Sequence, residues 1–112
     1  MNIRVRFSHV IPRILGVQAI VLYPYVLFDS PMSNISGTNI RHEMIHVRQV
    51  RSMGWLKFYV SYLWEYAKLR LKMGAFTAYL NIPQEQEAYA KQDSMTLTES
   101  ERSELGDLAK YL

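Results

Sequence analysis

RHEMIHVRQ, Arg41 to Gln49, sets two of the chain's three histidines four residues apart and places a glutamate beside the first. His42, Glu43 and His46 form the HExxH pattern. On an α-helix, residues four apart share a face with Cβ atoms about 6 Å apart, so two imidazoles can hold one metal ion. The residue after the first histidine is turned by about 100° and flanks the metal without binding it. A carboxylate there can take a proton from water polarised by the metal and pass it to a leaving amine. The pattern carries this chemistry only if the stretch is helical.

The flanks supply that helix. DSPMSNISGT, Asp29 to Thr38, is a polar loop of turn formers. Thr38 or Asn39 can then cap a helix over residues 39–53, and Gly54 stops it. Catalytic zinc sites use three protein ligands and leave a fourth position to water. His9, the remaining histidine, falls in an N-terminal turn and reads as a surface residue. The third ligand is therefore sought among downstream acids, where EQEAY offers Glu85 and Glu87. Glu87 stands four residues before Lys91, the favourable order for a surface ion pair. Glu85 shares its face with Ala88, Tyr89 and Gln92, and the small Ala88 permits close helix approach, so Glu85 is preferred.

Other polar residues fall around this set. Gln49 lies on the face of His42 and His46, where it can brace a ligand, touch substrate or be an ordinary helix glutamine. Tyr89 or Tyr79 can donate to an oxyanion, or be a buried tyrosine satisfied elsewhere. Arg41, Arg48 and Arg51 lie on the opposite face and are expected in solvent.

Before the loop, IRVRF alternates Ile3, Val5 and Phe7 against Arg4 and Arg6, as a strand does. Residues 1–28 read as strands, with Ile14 to Phe28 buried and Gln18 to Phe28 one strand or two broken at Pro24. After Gly54, residues 55–73 read as an aromatic helix. Trp55, Tyr59, Tyr62, Tyr66, Leu69 and Met73 make one stripe, and Leu56, Val60, Leu63 and Ala67 a second. Lys57, Ser61, Glu65, Lys68 and Lys72 fill the remaining face, which suggests a core helix with one wet side rather than a membrane-surface helix. A short AFTAYL piece follows. Asn81 and Pro83 then mark the start of a helix over 83–93, and Thr98 with Glu101 forms a capping box for one over 99–111. Leu105, Leu108, Ala109 and Leu112 give that last helix its apolar face.

RHEMIHVRQ, the aromatic helix, AYLNIP and EQEAYAKQ together resemble the gluzincins, metallopeptidases with HExxH on one helix and a glutamate on a later one. The Glu85-to-Ala88 step is similar to that of the membrane-protease branch related to the CAAX-processing enzymes. The closer resemblance is to a small bacterial and phage family with HExxHxxQ, an aromatic helix and a PFExEAY-type segment, and it spans roughly residues 14–92. It implies an α+β, mostly helical zincin-like domain over 1–112, with His42, His46 and Glu85 as Zn²⁺ ligands and Glu43 as general base and acid. Tyr89 departs from the larger enzymes, which place there an aspartate that supports a ligand histidine.

Composition agrees with a folded domain: 112 residues, 49% hydrophobic, and no cysteine for disulfides or thiolate ligands. The missing cysteines fit a reducing compartment such as the cytoplasm. Residues 1–56 carry six Arg against Asp29 and Glu43, a balance of +4, whereas residues 57–112 balance seven cations against eight acids, at −1. No Lys/Arg run makes nucleic acid the expected partner. Ile14 to Phe28 is shorter than the roughly 20 residues of a membrane span and lacks a cleavage site, so neither signal nor integral span is expected. The expected partner is a peptide or protein substrate of a zinc metallopeptidase. The rival is a zinc-stabilised structural or interaction module without turnover, which has no need of Glu43.

Overall fold

The computed structural model describes residues 2–112. Alternation at the N-terminus gives β1 (Arg4–Arg6), which pairs in parallel with β3 (Tyr25–Phe28), Val5 opposite Val26. β2 (Ala19–Leu22) lies antiparallel on the other side of β3, with Val21 also opposite Val26, so the sheet order is β1-β3-β2. The break at Pro24 is the two-residue turn between β2 and β3, and the Tyr23–Pro24 peptide is cis.

Residues 10–15, expected as strand, form instead the helix α1 (Val10–Leu15). His9 explains it: its Nδ1 accepts from the Ile11 amide at 3.2 Å, capping the first turn. Pro12 sits within that turn, where a missing N–H is tolerated. Gly16, at φ 73°, ends the helix, and Ile14 and Leu15 are exposed rather than buried.

α2 (Gly37–Met53) carries the HExxH residues. It begins earlier than expected because Ser36, not Thr38 or Asn39, is the cap: its Oγ accepts from the Asn39 amide at 3.1 Å. Gly37 is required by close approach, since a Cβ there would stand 2.9 Å from the Tyr111 carbonyl oxygen. Ile40, Met44 and Val47 turn toward Val21, Val26, Phe28, Leu105 and Leu108 in the main core.

α3 (Trp55–Arg70) is not the core helix its two stripes suggest. Phe58 alone is buried along it; Tyr59, Tyr62, Tyr66 and Leu69 are half-buried, and the stripe of Leu56, Val60, Leu63 and Ala67 is exposed. The helix packs on one side, against α2, α4 (Ala75–Asn81) and α5 (Pro83–Lys91), so one apolar stripe is partly covered beyond the exposed Trp55 and the other is not. The Tyr59 hydroxyl ties it to the sheet, donating to the Val21 carbonyl at 2.7 Å and accepting from the Tyr23 amide at 2.9 Å.

α5 (Pro83–Lys91) starts on Pro83 as expected, but Asn81 closes α4 instead of capping α5, its side chain donating to the Thr77 carbonyl. α6 (Glu99–Leu105) has both bonds of its capping box, Glu101 amide to Thr98 Oγ1 at 3.2 Å and Thr98 amide to Glu101 Oε1 at 2.8 Å. Gly106 breaks the helix expected to reach residue 111, and 3₁₀ turns cover Gly106–Tyr111. Across α2 this segment meets Arg48 and Arg51, two of the three arginines expected in solvent; Arg51 is exposed as expected, while Arg48 and Arg41 are half-buried. Arg48 makes two 2.7 Å bonds to Glu101, Arg51 bonds Glu104 at 2.6 and 2.9 Å, and Arg41 donates to the Gln92 carbonyl at 2.6 Å. The outer face of α2 is a docking face because the end of the chain folds back over it.

Candidate metal centre

Two helices build the site. α2 places His42 and His46 one turn apart, ring centroids 4.9 Å apart, and α5 crosses beside it with Glu85 facing them. Ala88, three residues after Glu85, is fully buried. Glu85 Oε1 lies 3.0 Å from the Nε2 of each histidine. These three ligand atoms fall within 4.8 Å of one another, and the residues are buried. Glu87 is not among them: it pairs with Lys91 at 2.8 Å on the surface.

The far nitrogens of the rings are already engaged. His46 Nδ1 lies 2.8 Å from Gln49 Oε1, and His42 Nδ1 lies 2.8 Å from Gln92 Oε1. The orientation of the Gln49 amide is fixed by its other end. Its nitrogen donates to the Gln84 carbonyl at 3.0 Å and to Glu87 Oε1 at 2.6 Å, both acceptors only. The oxygen must then face His46, so Nδ1 carries the hydrogen there. His46 Nε2 is left either to bind a second proton and donate it to Glu85, or to offer its lone pair to a cation. A neutral ring with that lone pair aimed at a carboxylate would be repelled. This donor set, two imidazole nitrogens and a carboxylate oxygen with their outer hydrogen bonds in place, fits a metal ion.

The electrostatics follow from the same contacts. Burial acts against charge on His46, but the Glu85 hydrogen bond and the field of Glu43 outweigh it and push its pKa up to about 9. Burial opposes charge on His42 too, and the Glu85 bond again prevails, raising its pKa. Glu85 is held well below the usual carboxylate range: burial works to raise it, and the two histidines overcome that. Glu43 goes the other way, raised by burial. Among the described residues none hydrogen-bonds the Glu43 carboxylate, and it lies outside the ligand group.

Aromatic rings complete the walls. The Tyr62 hydroxyl donates to Glu85 Oε2 at 2.5 Å, and burial followed by the Glu85 charge raises its pKa. Tyr89 meets the His42 ring edge-on at 4.5 Å and is 43% exposed, so the site borders solvent there. Its hydroxyl is 3.3 Å from that of Tyr79. His9, away from the site, serves as the α1 cap.

Two members of this arrangement do not emerge from the sequence as site residues. Gln92 is legible only as a neighbour on the Glu85 face, and Tyr62 only as part of an apolar stripe. The signal for both is a hydrogen-bonding group on the inward face of an otherwise apolar helix side. Compared with known proteins, the chain matches no family model, no curated protein and no solved structure.

Proposed function

We propose that this protein is a zinc-dependent peptidase in which His42, His46 and Glu85 hold the metal and Glu43 is the general base and acid. The observation that carries the reading is the donor set: three convergent ligand atoms and, among the described residues, no fourth His, Cys, Asp or Glu in the group. Structural zinc sites are usually closed by a fourth side chain, whereas catalytic ones keep that position open. A nitrogen-rich set with one carboxylate suits zinc. Zinc in such a position supplies Lewis acidity and lowers the pKa of water.

The chain's own residues supply the rest. Glu43 follows His42 on α2, beside the ligands, and burial raises its pKa, which favours proton uptake by the carboxylate. It takes a proton from the attacking water and delivers it to the leaving amine. Tyr89, at the solvent border, or Tyr79, whose hydroxyl lies 3.3 Å from that of Tyr89, would donate to the oxyanion. Gln49 and Gln92 keep the histidine rings oriented.

Burial of the ligands favours the rival, a structural zinc module, and one substitution separates the two. Elemental analysis should find one zinc per chain in wild type and in Glu43→Gln. Incubation with a diverse peptide library, read by mass spectrometry, should show cleavage by wild type reduced by about 10² to 10⁴ in the variant. Equal cleavage by the zinc-loaded variant removes Glu43 from the mechanism. Absence of zinc after incubation with it removes the metal reading altogether.

A further inference from the structure

The unpartnered stripe of α3 carries an inference independent of the metal centre. At about 100° per residue, Leu63, Leu56, Ala67, Val60, Leu71 and Trp64 fall in that order within an arc of about 100°. All are exposed: Leu56 60%, Val60 59%, Leu63 and Trp64 64% each, and Leu71 88%. The opposite side of the helix is the anchored one, through Phe58, Tyr59 and Tyr62. Phe76, 73% exposed on the adjoining α4, adds a further apolar side chain. Solvation of so continuous a strip is unfavourable, and such strips mark contact surfaces.

The charges beside it indicate what it contacts. Lys57 and Lys68 lie on one flank of the arc and Arg70 on the other, with Lys72 one step beyond Lys68. Over residues 55–72 these four cations face the single acid Glu65, a balance of +3 equal to the net charge of the whole chain. Lys68 pairs with Glu65 at 3.0 Å and also sits 5.9 Å over the Trp64 ring. A second copy would bring the same cations against themselves. An acidic surface with an apolar interior complements both features at once. No helix among the described residues is long and apolar enough to cross a membrane.

We propose that α3 lies in the plane of an anionic lipid bilayer, its Leu/Val/Trp stripe in the interface and its Lys and Arg side chains on the headgroups. Long basic side chains flanking an apolar strip can keep their charge at headgroup level while their stems pack below.

The test uses the full chain with two kinds of vesicle, pure phosphatidylcholine and phosphatidylcholine containing phosphatidylserine. Co-sedimentation is expected with the anionic vesicles, weakened by salt, with a blue shift of tryptophan emission. Leu63→Glu should abolish it, and circular dichroism should show the fold intact because the side chain is exposed. Lys57→Gln with Lys68→Gln should weaken anionic-vesicle binding by about tenfold or more, since each basic residue near such a surface contributes on the order of fivefold. Binding that survives Leu63→Glu, or is equal for neutral and anionic vesicles, overturns the proposal. So does an absence of vesicle binding. A dimer in light scattering that Leu63→Glu dissolves, without vesicle binding, assigns the stripe to a second copy instead.

Discussion

A carboxylate has two oxygens, and Glu85 uses them on different helices: Oε1 faces both α2 histidines, and Oε2 accepts from Tyr62 on α3. If the site holds zinc, Glu85→Gln should nearly abolish binding, while Glu87→Gln should lower it far less. Glu87 is bonded to Gln49, which in turn braces His46, and is not in the ligand group. The opposite ranking in a competition titration would assign the ligand to Glu87. Tyr62→Phe is the subtler case. It removes a hydrogen bond to a buried carboxylate while keeping the ring, and outer partners of this kind typically contribute about 10–100-fold in metal affinity. An unchanged zinc affinity would make Tyr62 a packing residue only. At this scale the sequence is legible where the chemistry is local. The His42/His46 pair declares itself through a four-residue spacing, and Glu85 through exclusion of its neighbour. Gln92 and Tyr62 are not legible, because a ring nitrogen's partner from a distant helix leaves no trace in spacing.

Among elements, the bond between α2 and α6 offers a measurable case. Arg48 holds Glu101 below the usual carboxylate range, principally through its hydrogen bonds, against the raising effect of burial. A depressed folded-state pKa means stability that is present above the ordinary carboxylate value and lost as pH falls through the folded one. Denaturant titrations should therefore show wild type losing stability as pH drops below about 4.5. Arg48→Met should be less stable by about 1–3 kcal/mol at neutral pH, with the difference shrinking in acid. A difference independent of pH would mean Arg48 acts through its stem alone. Element boundaries depended on contacts that periodicity does not contain. α1 hides in a branched, apolar stretch because its start is set by a histidine cap. The arginines of α2 point away from the site, as their spacing requires; Arg51 is exposed as expected, whereas Arg48 is half-buried under the returning chain end and Arg41 against the end of α5. The stripes of α3 are real, but sequence cannot say which of two apolar faces has a partner.

For the whole molecule, the centre joins residues that are far apart in the chain: 39 positions separate His46 from Glu85, and α3 and α4 fill the interval. A ligand that binds only the folded chain stabilises it by about 4 kcal/mol at a thousandfold excess over Kd. For a domain near 100 residues this corresponds to a fall of roughly 15–30 °C in Tm on chelation. A melting curve unmoved by chelator would show that no metal braces the fold. The position of α2 has another consequence. From Ile40 to Val50 every residue is buried except Arg41 and Arg48, which are half-buried and bonded to Gln92 at the end of α5 and to Glu101 of α6. A helix enclosed on all sides leaves no face on which substitutions can drift. In a saturation scan selected for folded protein, tolerance should be flat and low along this stretch. Along α3 it should instead rise and fall every three to four residues.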